Sequence, residues 1–333
     1  MNSDALRFSP ADSGRSIIFV HGRDFKPAAD ELLDLTLAAV AAGLERDCPE
    51  MLVQFHSVEK RLAYYGDISN EWLRKSGRHY DEKLDIGDRR QALQELGALK
   101  KRKHFGLNRY ERIPGKTSLR EFAADLAAPV LGSIGLGGAV ISRIAADVNE
   151  YWDAATDYGL RIRERVRDEL SAALEQGRNV MLVSHGTGCI VCYDVLWQMS
   201  HHPDYAPQYE WMKIDQWLTL GAPLGDTTVR KRIFGAQSKG RGKYPANVLA
   251  WHNVSAEDDY LCHDNTLSDD YGEMLRLRLV SSIRDYHIYN LAVRYGKSNP
   301  HSSIGYLIHP RVTKIVADWL RRDNDARLTK GIF

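Results

Sequence analysis

Cysteine is scarce in this chain, four residues in 333. That is too few for a disulfide scaffold of this length and fits a reducing compartment, so a cytoplasmic protein is expected. Neither sign of charge is in excess, with 45 Lys and Arg against 44 Asp and Glu. A general attraction to nucleic acid is therefore not expected. The first fifteen residues lack a basic start followed by an apolar core, so no secretory leader is read there. The uncharged run 126–142 approaches the length of a membrane span, but one proline and four glycines interrupt it. Such a run makes a poor lone spanning helix. A dinucleotide loop is also disfavoured, because Gly135-x-Gly137 has no third glycine at residue 140 and no strand before it.

Short β-type runs and helical patterns alternate along most of the chain. Strands are expected at Ser16–Val20, Leu52–Phe55, 179–183, Gln216–Leu220, Val248–Val254 and Tyr286–Leu291. Helices are expected at about 28–46, 158–176, 187–200 and 310–321. This order predicts an α/β fold, a mostly parallel sheet with helices on both faces. Residues 68–150 break the alternation. They are read as a cap inserted into a single domain spanning 1–333, covering the carboxyl edge of the sheet. Within it, Lys100-Lys101-Arg102-Lys103 is read as a solvated helix face.

A second scarcity is local. Residues 180–183 are an apolar run, followed by small residues at Ser184, Gly186 and Gly188 and then an apolar stretch from Cys189 to Trp197. This is the layout of a nucleophile elbow, Gly-x-Ser-x-Gly, in which small flanks let a strained turn fit between strand and helix. Here the frame reads Ser184-His185-Gly186-Thr187-Gly188, with glycine at the centre. Centring it on Ser184 would put bulky Leu182 at a small position. Centring it on Thr187 would put His185 and Cys189 there and strain a β-branched residue. Only the Gly186 register satisfies the sterics, and glycine tolerates the backbone that an elbow requires. Cys189 and Cys192 form a C-x-x-C that is read as two buried neighbours on one helix face.

These features resemble the α/β-hydrolase superfamily, particularly its lipase- and esterase-like members. The resemblance rests on His21-Gly22, the elbow frame, Leu220-Gly221-Ala222-Pro223-Leu224-Gly225 and the order of late acidic and histidine residues. It implies an α/β-hydrolase fold with an inserted helical cap, and a triad in chain order nucleophile, acid, histidine. Position 186 would hold the nucleophile. Asp259, in Glu257-Asp258-Asp259-Tyr260-Leu261-Cys262, is the expected acid, with Asp258 as the alternative. His301 is the expected base, ahead of His263, His287 and His309. The oxyanion donors would be the backbone N–H groups of Thr187 and Arg23. His21 and His185 are read as structural, and Arg23 and Asp24 as residues of the entrance.

The resemblance implies a carboxylic-ester hydrolase acting on a small-molecule ester-like substrate, with no metal or organic cofactor. The apolar 126–142 run favours a hydrophobic acyl group and offers a membrane-surface contact. Glycine at 186 leaves three readings open: an inactivating substitution, a pseudo-hydrolase that binds a ligand or partner, or a hydrolase in which His301 activates water directly.

Overall fold

The computed structural model describes residues 13–115, 149–262 and 266–322. Six strands form one sheet in the order β2-β1-β3-β4-β5-β6, and every neighbouring pair is parallel. They are β1 (Arg15–Val20), β2 (Glu59–Ala63), β3 (Asn179–His185), β4 (Ile214–Leu220), β5 (Val248–Ala256) and β6 (Ser282–Ile288).

Both faces of the sheet are covered, which is why its central strands read as nearly continuous apolar runs. Along β1 and β3, Ile18, Val20, Val180 and Leu182 pack with the helices Tyr158–Glu175 and Gly188–His201 on one side. The alternate residues Ile17, Phe19, Met181 and Val183 pack with the helices Ala29–Asp47 and Pro310–Leu320 on the other. Among the described residues, no helix is long and apolar enough to cross a membrane.

Three expectations about elements are corrected. Leu52–Phe55 is not a strand but part of a helix, Leu52–Ser57, in which Phe55 is buried and Val53 is 75% exposed. The true second strand is the charged segment Glu59–Ala63, which lies at the sheet edge. There Arg61 bonds Glu59 at 2.8 Å and Glu169 at 3.3 Å. Edge strands carry such charges because one flank stays wet. The sixth strand begins at Ser282 and ends at Ile288, so Tyr289–Leu291 already belong to the following loop. Finally, Lys100–Lys103 is not a regular helix face. It enters a short 3-10 turn, Arg102–Phe105, and Arg102 pairs with Asp47 at 3.2 Å.

The first part of the expected insertion is built of helices. Gly66–Lys75 and Glu82–Gly97 follow β2, and Asp81 caps the second by accepting the Leu84 N–H at 3.0 Å. The apolar 126–142 run and His263 lie outside the described residues.

Candidate functional site

The turns at the carboxyl ends of β3, β4 and β5, together with the segment after β6 that carries His301, bring the candidate residues together. The β3 turn is held by the Gly186 N–H, which donates to the Leu220 carbonyl at 2.9 Å. Gly186 has φ +55°, in the left-handed region that favours glycine. An ideal Cβ built there would lie 2.8 Å from His301 Nε2 and 3.1 Å from His301 Cε1. The imidazole edge therefore fills the space in which a side chain at 186 would begin.

The other ring nitrogen of His301 faces a carboxylate. Nδ1 lies 2.9 Å from Asp259 Oδ2 and 3.1 Å from Asp259 Oδ1. Asp259 is 4% exposed and its carboxylate is well supplied with donors. Tyr306 O–H donates to Oδ2 at 2.6 Å, and the Leu261 N–H donates to Oδ1 at 3.1 Å. This pairing puts the proton on Nδ1 and leaves the Nε2 lone pair directed at position 186. The alternative acid Asp258 is placed elsewhere, with φ +59° and its carboxylate accepting a short bond from the Tyr110 hydroxyl.

Gly221, after β4, explains why the turn there is glycine. It has φ +57°, and a Cβ would lie 2.7 Å from Asp259 Oδ2 and 3.1 Å from both His301 Nδ1 and Tyr306 Oη.

Two side chains that hold the His301 loop and Asp259 in place carry no motif that sequence reasoning can find. Asn290 clamps the loop: its Nδ2 donates to the Pro300 and Ser302 carbonyls at 2.9 Å each, and its Oδ1 accepts the Ala292 N–H at 3.1 Å. Tyr306 ties Asp259 to β5, since its hydroxyl also accepts the Ala256 N–H at 2.9 Å. Both sit in short loop or helix segments, and only the folded chain brings them to the acid and base.

His185, His21 and His309 make structural contacts. His185 packs on the His301 ring, with centroids 4.4 Å apart, and its Nε2 donates to the His301 carbonyl at 3.0 Å. Burial, with His301 and Lys26 nearby, lowers its basicity far below the usual histidine range. His21 accepts the Tyr65 N–H at Nε2 (3.1 Å) and so donates from Nδ1 to the Gly22 carbonyl (2.8 Å). Burial, then the Lys26 charge, brings it down to about 3. His309 caps the last helix by accepting the Arg311 N–H, and His287 is an exposed residue of β6.

The β1 turn flanks the β3 turn, with Gly22 Cα 3.8 Å from the Cβ position of residue 186. Lys26, buried beneath it, points its ammonium at the carbonyls of Arg23, Asp24 (3.1 Å) and Phe25 (3.4 Å). Burial, helped by Arg89, pulls Lys26 down to about 7. Thr187 is the N-cap of the helix Gly188–His201, so its N–H is among those that the first helical turn leaves without an intrahelical acceptor.

Together these residues border a cavity of about 250 Å³ lined by His301, His185, Arg23, Asp24 and Lys26, with Phe19, Leu32, Val183 and Leu220 as apolar wall. The helix Glu82–Gly97 contributes Asp85, Asp88 and Arg89 to the same lining. Asp85 is fixed by Arg89 at 2.9 Å, Arg294 at 2.8 Å and Tyr80 Oη at 3.0 Å. That ionic wall lay unrecognised inside the expected insertion, because charged helix residues look alike whether they face water or a cavity. Ser184 is fully buried, accepts from Trp217 Nε1 at 2.9 Å and donates to Cys189 Sγ at 3.2 Å. Cys189 and Cys192 are buried free thiols on one helix, and burial pushes Cys189 up to about 12.

Comparison of the chain with protein-family models, curated proteins and solved structures gives no match.

Proposed function

We propose that this chain is a serine-hydrolase-like protein of the carboxylic-ester hydrolase class, with an α/β-hydrolase fold and Gly186 in the nucleophile's place. The observation that carries this reading is the alignment Asp259–His301–residue 186. The carboxylate meets Nδ1 at 2.9 Å, and Nε2 abuts the point from which a side chain at 186 would grow. In a competent form, His301 takes the proton of a hydroxyl at 186, and Asp259 orients the ring and stabilises the imidazolium. The Thr187 and Arg23 N–H groups are the proposed oxyanion donors, and they do not depend on the side chain at 186. The cavity of about 250 Å³ sits at the small end of ligand pockets and suits a small ester-like substrate.

The decisive comparison sets this chain beside Gly186→Ser on a panel of activated esters, with a fluorophosphonate to label a serine nucleophile. The serine variant is expected to gain at least about 10²-fold in kcat/KM and to label at residue 186. A folded variant with no gain and no label overturns the reading and leaves a pseudo-hydrolase that binds a ligand or partner.

One observation favours a second route. Because the His301 ring already fills the Cβ space of residue 186, its Nε2 is free to act on a bound water without an acyl-enzyme. Turnover by the unmodified chain that disappears in His301→Ala supports this route.

A further inference from the structure

The turn after β1 has no regular structure, yet every carbonyl from His21 to Pro27 is held by a side chain. The His21 carbonyl accepts from the Tyr65 hydroxyl, and the Gly22 carbonyl accepts from His21 Nδ1 at 2.8 Å. The Arg23, Asp24 and Phe25 carbonyls all accept from the Lys26 ammonium, the last two at 3.1 and 3.4 Å. The Lys26 carbonyl accepts from Asn70 Nδ2 at 2.7 Å, and the Pro27 carbonyl from the Tyr64 hydroxyl at 2.8 Å. Three consecutive carbonyls therefore depend on a single side chain, that of Lys26.

That side chain has to carry its proton to do this. An ammonium brings three N–H donors to three acceptors, whereas a neutral amine brings two and turns a lone pair towards the remaining oxygen. Lys26 is 7% exposed, and Asn70 also pins its backbone by accepting the Lys26 N–H at 2.9 Å. The bonds hold an unusual backbone as well. Asp24, at the middle carbonyl, has φ +69°, a region that residues other than glycine seldom occupy and keep only when their surroundings enforce it. The ammonium is narrowly balanced. Asp24 and Asp85 favour it, while burial, Arg89 and Arg294 oppose it, and Lys26 is brought down to about 7. His21 and His185 add no charge near neutral pH, because burial holds both far below the ordinary histidine range.

These contacts reach the proposed chemistry through Arg23. Its N–H belongs to the peptide whose carbonyl His21 fixes, and its own carbonyl is fixed by Lys26. The turn also lies beside the nucleophile's place, with Gly22 Cα 3.8 Å from the Cβ position of residue 186. We propose that Lys26 is a positioning residue of this site, whose ammonium grips the Arg23–Phe25 carbonyls and so aims the Arg23 N–H at a developing oxyanion. The proposal rests on the ester-hydrolase reading. An oxyanion donor acts more strongly in the transition state than on the bound ester, so losing its aim falls on kcat rather than on KM.

The test uses the full chain carrying Gly186→Ser and an activated ester. Adding Lys26→Met should lower kcat at least about tenfold while KM changes less than about twofold. With Lys26 present, kcat should also fall on the alkaline side with a midpoint of about 7, as the ammonium loses its proton. Lys26→Met should have lost that fall. An unchanged kcat in a folded Lys26→Met chain, or an alkaline fall that persists in it, overturns the proposal. If Lys26→Met fails to fold, the profile of Gly186→Ser alone decides, and a kcat that holds its plateau up to about pH 9 overturns the proposal. If Gly186→Ser has no activity, the ester-hydrolase reading fails separately, and amide NMR of the unmodified chain tests the grip of Lys26. The Arg23, Asp24 and Phe25 resonances should then move together around pH 7, and do so equally in His301→Gln. Resonances that stay fixed there overturn the grip itself.

Discussion

At residue 290, an uncharged amide decides where the candidate base sits. The loop carrying His301 has no regular structure of its own, and the Asn290 side chain closes it with three hydrogen bonds, two of them donated to backbone carbonyls on either side of His301. Asn290→Ala removes all three in a buried setting, and a loss of about 2–4 kcal/mol of stability is expected by denaturant titration. In a Gly186→Ser background the same change should also cut kcat sharply, and an unchanged kcat in a folded double variant would refute the clamp. Tyr306→Phe is a finer probe. It leaves the Ala256 N–H without its acceptor and takes one donor from Asp259, at an expected cost of about 1–3 kcal/mol. Gly186→Ser itself should lower stability by about 1–2 kcal/mol, because its φ is positive and the His301 ring must yield to the new Cβ.

At the scale of elements, the junction between β3 and the helix after it is welded by buried polar contacts. Trp217 Nε1, Ser184 Oγ and Cys189 Sγ form a short hydrogen-bonded chain across β4, β3 and that helix. Trp217 is stacked on Trp251, with centroids 4.5 Å apart. Sequence reasoning recognised this junction because its steric demands fall on consecutive residues. It misplaced β2 for the opposite reason. An edge strand needs only one dry flank, so Glu59–Ala63 has no apolar signature, while Leu52–Phe55 has one but spends it on a short helix. The burial of the thiols makes a direct prediction. All four cysteines are buried and free, and burial raises Cys189, Cys192 and Cys262 away from the thiolate form. The native protein should therefore be almost inert to Ellman's reagent at pH 8, and full reaction should appear only in denaturant. Rapid reaction of the native protein would contradict the packing of that helix.

Over the whole molecule, buried histidines set the response to acid. His21 and His309 are brought down to about 3 and His252 to about 4, each chiefly by burial. Unfolded histidine binds its proton near 6.5, so between that value and the folded values the unfolded chain holds more protons. Stability must then fall as pH falls through this window, by about 2 kcal/mol per histidine at pH 5. Asp194, pushed up to about 6 by burial, works the other way by about 1 kcal/mol and is outweighed. Lys26, at about 7, extends the trend upward, gaining stability as pH rises from there towards 10.5. A melting temperature that drops steadily from pH 7 to pH 4.5 is the expected result. A flat profile would mean that these histidines are not held neutral.

Local rules of sterics and periodicity act over a few adjacent residues, so the parallel sheet and the tight glycine turn from β3 into its helix could be read from the chain, while Asp259 and His301 were named through a family resemblance. Position in space is a property of distant segments. The pairing of Asp259 with His301 and of Asp258 with Tyr110, the Asn290 and Tyr306 supports, the ionic wall from Glu82–Gly97 and the filling of the residue 186 space by the His301 ring were decided only by tertiary packing, which joins residues as distant in sequence as Asp85 and Arg294.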